Sequence, residues 1–453
     1  MNNDAIYDAR ELGKSKMLVL GLQHLFAMFG ATVLVPALTG LSVSTTLLFA
    51  GVGTLLFHLI TGRKVPAFLG SSFAFLGGYA AIAPMLTDAE GIASVANTEM
   101  LPYASFGVVC AGLVYLVLAL LFKVFGAQKV MRFFPPIVTG PVIICIGLTL
   151  ASSAIGNCRA NWLIALVAIA VVVVCNIWGK GMVKIVPILL GVIASYIVAM
   201  IVDPAARANL VQKVSEAAWI GIPITWEGTA LSIFGEGFDS GLLVTSIVTI
   251  MPIALATMVE HIGDICAISS TVGKNFVADP GLHRTLVGDG LATSLAALFG
   301  GPANTTYGEN TGVLALSKVY DPRVVRLAAI FAVILSFCPK FAAIIVAMPA
   351  ATMGGVSLVL YGMISAVGVR NVVENQVDFT KSRNVLIAAM IMGLTIGVNY
   401  NGALQIPIGT ITISLSGLAV GAIVGIAMNA ILPGKDYEFQ KDSEGSTSVN
   451  FKV

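Results

Sequence analysis

The sequence predicts an all-α polytopic membrane protein whose fourteen transmembrane segments form two inverted repeats of seven. Three observations lead there. Of its 453 residues 57% are hydrophobic and 11% charged, against about 25% charged in a soluble domain, and the mean hydropathy is +0.94. Apolar stretches recur at about the 20 residues that a bilayer crossing needs. Basic residues gather in alternate connections, which fixes both the number of crossings and their direction.

Taken in order, the first seven spans lie near 16–38, 42–61, 66–84, 103–122, 135–155, 161–178 and 184–202. The second seven lie near 240–262, 285–300, 303–317, 325–345, 347–368, 384–399 and 408–432. Residues 1–15 and 433–453 are polar tails flanking a 16–432 transmembrane domain. The start, MNNDAIYDARELGKSK, has no small-residue cleavage site after it and reads as a cytoplasmic tail rather than a signal peptide. With that end inside, twenty-one of the 25 Lys and Arg residues fall on inside segments, and only Arg159, Arg207, Lys213 and Lys340 fall outside. A missed span would scramble that alternation, so both termini are expected in the cytoplasm. The outside segments 85–102 and 203–239 lean acidic, with Asp88, Glu90 and Glu99 in the first.

Spans 3 and 10 are poor helices. They contain PAFLGSSFAFLGG and GGPANTTYGENTG, and broken backbone within a bilayer must be satisfied by protein or water. Each is third in its set of seven. Span 1 carries Gln23-His24 where span 8 carries Glu260-His261. Seven is odd, so the second set enters the membrane from the opposite side. That is the arithmetic of an inverted repeat, with a site near the midplane.

Composition also excludes. A net charge of +2, with no basic arm interleaved with aromatics, gives no sign of nucleic-acid binding. The six cysteines are scattered through apolar runs without CxxC and read as small hydrophobes. GxSxG, HExxH and Walker A patterns are absent, which argues against an enzyme or an ATP-driven pump. No metal or other cofactor is expected.

The acidic residues in or beside spans are Glu260, Asp264, Asp289 and Glu309. Glu260 and Asp264 are four apart and so share a helix face. Their mutual repulsion and partial burial suit a group that loads and releases a proton. Read locally, the run from Leu242 equally well ends at Ile262 and leaves them as juxtamembrane charges. His261 points elsewhere and reads as a packing or hydrogen-bonding residue, and His24 is ambiguous in the same way. As metal ligands Glu260, His261 and Asp264 fit poorly, since neighbouring helical positions diverge by about 100°. Glu309 lies in Tyr307-Gly308-Glu309-Asn310, where glycine lets backbone approach a ligand and a half-helix start offers free N–H groups. Ser72 and Phe73, in GSSFAF, occupy the counterpart segment, and the Phe73 ring either stacks on a flat ligand or packs in the core. Two carboxylates, backbone donors and an aromatic face together suit a planar heterocycle with N–H beside C=O groups, for which uracil is the minimal case. An inorganic anion would call for interior Arg or Lys.

The stretches QHLFAMFGATVLVP (23–36), PAFLGSSFAF (66–75), EHIGD (260–264), DPGLHR (279–284) and NTTYGENTGVLAL (304–316) resemble the nucleobase–ascorbate transporter family, also called nucleobase:cation symporter family 2. The likeness runs from about residue 17 to 432 and is greatest to its uracil-carrying bacterial branch. It implies a homodimer in the cytoplasmic membrane that imports uracil with a proton by alternating access. Spans 1–4 and 8–11, about 16–122 and 240–345, would form a core domain. Spans 5–7 and 12–14, about 135–202 and 347–432, would form a gate. Segments 3 and 10 would each join a short strand to a half-helix. It further implies that Glu260 and Glu309 hold the base through its N–H groups and that backbone amides at Phe73 and Gly308 donate to its carbonyls. Tyr361, in LVLYGMI, matches a gate tyrosine near the site. Glu rather than Gln at 309 points to a pyrimidine. Asp264 and Asp289 depart from the uracil pattern, which has histidine and asparagine there. Acidic residues at both are common among xanthine and uric acid carriers, and they bear on the proton path more than on the base. Other readings are such a purine carrier, an anion exchanger or channel on the related fold, and a sensor that binds without transporting.

Overall fold

A computed structural model describes residues 5–87, 93–235, 237–408 and 411–434. Asp88, Glu90 and the tail from 435 fall outside these, as does the side chain of Glu309.

Among the described residues, seven helices are long and apolar enough to cross a membrane, or nine if two sharply bent pairs each count once. Trp162–Trp178 and Gly417–Ile431 are shorter apolar helices, and Leu282–Leu298 is the more polar span 9. The two broken segments supply the remaining crossings of the expected fourteen. Span 3 is a strand, Leu69–Ser71, a tight turn at Phe73–Phe75 and a half-helix, Leu76–Ile82. Span 10 is a strand, Asn304–Thr306, followed by the half-helix Gly308–Ser317. The strands pair antiparallel, with Leu69 opposite Thr306, Gly70 opposite Thr305 and Ser71 opposite Asn304. Antiparallel pairing of equivalent segments is the local signature of the inverted repeat. It also gives each broken backbone the partner that lipid cannot.

Neighbouring spans anchor that crossing in matched ways. Thr54 on span 2 donates to the Leu69 carbonyl at 3.2 Å, and Thr293 on span 9 donates to the Asn304 carbonyl at 2.6 Å. The third strand residue, Ser71, donates to the Thr32 carbonyl on span 1 at 3.1 Å. Its counterpart Thr306 turns to side chains on span 8 instead. Glycine is required where backbones meet. A Cβ on Gly70 would lie 2.5 Å from Tyr307 Cζ, and one on Gly112 would lie 2.6 Å from the Gly290 carbonyl, joining spans 4 and 9. Such close approach is how helices pack when lipid offers no hydrophobic drive. Spans 2, 4, 9 and 11 pack together, as do 5, 12, 13 and 14, with span 6 against 7 and 12.

Several boundaries differ from the sequence reading. Span 8 continues from Ser240, across a tight turn at Met251–Ile253, to Val272. The Glu260–Asp264 stretch is therefore helix interior, not the end of a span. Residues 404–415, taken partly into span 14, form a hairpin of Leu404–Ile408 with Ile411–Leu415. The alternation in ITISL is the two-residue period of a strand, which an apolar count overlooks. Span 11 stops at Ser336, and Pro339–Val346 turns away by 88°. On the same side Pro204–Glu216 turns from span 7 by 111° and packs on it.

The N-terminal residues dock on the ends of spans 8, 10 and 11. Ile6 bridges Val319, Tyr7 donates its hydroxyl to the Val272 carbonyl at 2.8 Å, and Ala9 N–H reaches Asp321 Oδ2 at 2.8 Å. Asp8 meets Arg323 at 2.8 Å, and the Arg10 guanidinium beside it holds its carboxyl well below the usual range.

Candidate functional site

The strand crossing brings the starts of two half-helices together, the second of them against span 8. Phe73 opens one and Gly308 the other. The first N–H groups of a helix have no internal acceptor and present donors to whatever lies before them. Gly308 is exposed directly after a buried run from Gly301 to Tyr307, so its backbone borders open space. A Cβ built there would stand 3.6 Å from Asp264 Oδ1, which puts the Asp264 carboxylate against this helix start.

Span 8 supplies the ionisable groups. Glu260 and Asp264 are both half-buried, one turn apart. Thr306 Oγ1 donates to Asp264 Oδ2 at 2.8 Å and lies 3.4 Å from His261 Nδ1. His261 Nδ1 is 3.0 Å from Asp289 Oδ2, and both side chains are 0% exposed. The imidazole, expected to pack or to hydrogen-bond, thus brings span 8 against span 9. A buried ionisable group survives only with such a partner. Asp289, Thr306 and Asp264 surround His261 as a polar chain through three elements. One turn earlier Thr257 accepts the Tyr115 hydroxyl from span 4 at 2.5 Å. His24 resolves in a similar way. Asn310 Nδ2 is 3.1 Å from its Nδ1 and donates to its carbonyl at 3.0 Å, pinning span 1 to the second half-helix.

Not every sequence candidate faces the open space. Tyr307 is buried beneath the crossing, donating its hydroxyl to the Ser71 carbonyl at 2.8 Å and accepting from Thr32 at 3.3 Å. Ser72 is buried, and its N–H donates to the Ala303 carbonyl at 2.8 Å. The Phe73 ring meets Tyr361 edge-on, with centroids 5.7 Å apart, and both are buried. That contact joins broken segment 3 to span 12. The backbone of Glu309 sits in the first turn of its half-helix, while its side chain lies outside the described residues. Sequence reasoning missed Thr306 and Asn310. The doublet Thr305-Thr306 before Tyr307 was visible, but nothing local marks which threonine turns toward span 8.

Among the described residues, no cluster of three His, Cys, Asp or Glu could hold a metal ion. The arrangement offers carboxylates, helix-start N–H donors and an aromatic pair around a break in two spans.

A family model described as "Permease family" matches residues 15–404. The uracil permease of Bacillus caldolyticus is 40% identical over 440 residues, covering 92% of this chain and 92% of that one. The uracil permease of Bacillus subtilis (strain 168) is 38% identical over 436 residues, covering 93% and 94%. In structure, the transmembrane domain of a cyanobacterial bicarbonate transporter, BicA, aligns over 87% of this chain and 98% of its own at a TM-score of 0.59 and 16% identity, a likeness of fold.

Proposed function

The chain belongs to this permease family, the nucleobase–ascorbate transporters whose motifs it carries and which move solutes rather than transform them, and from that premise we propose that it is a proton-coupled uracil importer. The observation that carries the reading is the antiparallel crossing of segments 3 and 10, which brings two helix starts together and sets the one at Gly308 beside the Asp264 carboxylate of span 8. Uracil presents N–H groups next to C=O groups along one edge. Glu260 and Glu309 accept the N–H groups, and the amides at Phe73 and Gly308 donate to the carbonyls. Phe73 and Tyr361, packed edge-on on each other, back the site on its aromatic side. Uracil permeases at 38–40% identity over nine-tenths of the chain support that substrate.

A proton on the Glu260/Asp264 pair offsets its charge while neutral uracil is bound, and His261 with Asp289 holds Asp264 in place through Thr306. The loaded step carries about one positive charge inward, driven by about 2.3 kcal/mol per 100 mV. The transporter sits in the cell membrane as a homodimer, both termini in the cytoplasm, in line with the basic residues on that side. Spans 1–4 and 8–11 move as a core against a gate of 5–7 and 12–14, and the Phe73–Tyr361 contact lies on that boundary.

Radiolabelled uracil uptake into proteoliposomes under an imposed pH gradient tests the reading. Uptake collapses with a protonophore and persists without sodium; a sodium requirement refutes the coupling. Glu260→Gln or Glu309→Gln abolishes uptake in protein that still inserts, and normal uptake by either sinks the site. Asp264 and Asp289 favour one second reading, a purine carrier, and competition by unlabelled xanthine is its mark.

A further inference from the structure

Two arginines stand apart at the end of the bundle that carries the N-terminus. Their neighbours are paired: Lys64 with Asp279 at 2.5 Å, Arg10 with Asp8 at 2.5 Å and Arg323 with Asp8 at 2.8 Å. Among the described residues neither Arg63 nor Arg326 has a side-chain hydrogen bond or ion pair, and Arg326 Nη1 is also shut off from solvent. Asp321 attracts Arg326 from a distance, but its oxygens already receive Ala9 N–H and Arg323. Arg63 and Arg323 add like charge around it. An unneutralised positive site at the edge of a bilayer invites an anion.

Its position says which anion. Arg326 heads a helical stripe continued one and two turns on by Ile330 and Ile334, which are 43% and 62% exposed. Span 11 packs beside span 2, where Gly51 admits the Ala329 backbone, and span 2 ends with Leu59 65% exposed. In a bilayer those side chains face acyl tails. Arg63 follows directly, with φ 60 after Gly62 at φ 65, and its N–H donates to the His58 carbonyl at 2.6 Å. Residues with a Cβ seldom adopt that left-handed backbone. Here it closes span 2 and leaves the Arg63 side chain exposed, near enough to Arg326 for the two charges to act on each other.

We propose that Arg63 and Arg326 hold the headgroup phosphate of an anionic phospholipid of the inner leaflet, its tails lying along Leu59, Ile330 and Ile334. The leaflet follows from the orientation proposed above, while the binding itself does not depend on it. The site is far in kind from the uracil contacts, being made of cations on a lipid-facing stripe.

The test is thermal unfolding of the full-length protein in detergent with added cardiolipin, phosphatidylglycerol, phosphatidylcholine or inorganic phosphate. Cardiolipin and phosphatidylglycerol raise the Tm, and phosphatidylcholine and phosphate do not. In Arg63→Gln/Arg326→Gln the half-saturating concentration of cardiolipin rises about 30-fold, the worth of two charges near a headgroup. If the double variant does not fold, exposed Arg63→Gln alone gives a rise of about fivefold. Arg159→Gln, at the other end of the bundle, leaves it unchanged. Three results overturn the proposal: an unaltered cardiolipin titration in the Arg63 variants, an equal shift with phosphatidylcholine, or an equal shift with phosphate, which means a free-anion site. Uracil binding on the same samples stays at the wild-type value, which keeps failure here distinct from failure of the transport reading.

Discussion

Replacing Thr306 with valine removes one hydroxyl from the centre of the polar chain and little else. Valine keeps the branched shape that suits a strand, and the backbone opposite Leu69 is untouched. What disappears is the hydrogen bond to Asp264 Oδ2 at 2.8 Å and the contact with His261 Nδ1 at 3.4 Å. A hydrogen bond to a charged group is worth about 1.5–3 kcal/mol, so a rate that needs Asp264 in this place falls about tenfold to hundredfold. The assay is proton-driven uracil uptake in proteoliposomes, normalised to inserted protein. Thr306→Ser restores the donor and stays within about threefold of wild type, since a bond kept at modest strain costs under 1 kcal/mol. Wild-type uptake by the valine variant refutes the positioning role. So does a serine variant as poor as valine, because packing rather than the hydroxyl then carries the effect.

Other outcomes follow from the same geometry. Gly70→Ala forces a Cβ to 2.5 Å from Tyr307 Cζ and 2.7 Å from Thr32 Oγ1, and destabilises by about 1–3 kcal/mol in thermal unfolding. Gly308→Ala meets only Asp264 Oδ1 at 3.6 Å, so its Tm stays at wild type. His261→Ala leaves the buried Asp289 carboxyl without its imidazole neighbour and costs about 1–3 kcal/mol; an unchanged Tm refutes the pairing. Asp321→Asn weakens the acceptor for Ala9 N–H and speeds hydrogen exchange across residues 6–12. The stabilisation from Asp8 is fully present above its unfolded pKa and is lost progressively as pH falls from there through its lowered folded value. Exchange through Asp8 therefore stays slow until pH drops into the ordinary carboxylate range and rises progressively below it, and an absence of that rise contradicts the Arg10 contact.

Much of the site was legible because breaks in periodicity are local. PAFLGSSFAF and NTTYGEN interrupt apolar runs, and each became a strand with a half-helix where sequence placed it. The spacing of Glu260 and Asp264 was enough to put them on one face. The length of span 8 was not legible, because Gly263, Asp264 and the small polar residues after it dilute hydropathy without ending the helix, which is closed only by left-handed Gly273. Residues 404–415 misled for the opposite reason. They are apolar enough for a span, yet they alternate as strands.

Composition, loop charge and the order of broken segments determined by themselves that this chain is a polytopic membrane protein built from two opposed halves. Those properties sum over many residues, and no single contact can reverse them. The tertiary structure alone decided which side chains meet. Tyr307 turned under Gly70 to reach Ser71, 236 positions earlier. Thr306, not its neighbour, joined Asp264 and His261, and His261 found Asp289 on the next span. Partners so far apart in the chain are chosen by the crossing of the two strands, and one residue of register there exchanges the faces of every side chain on them.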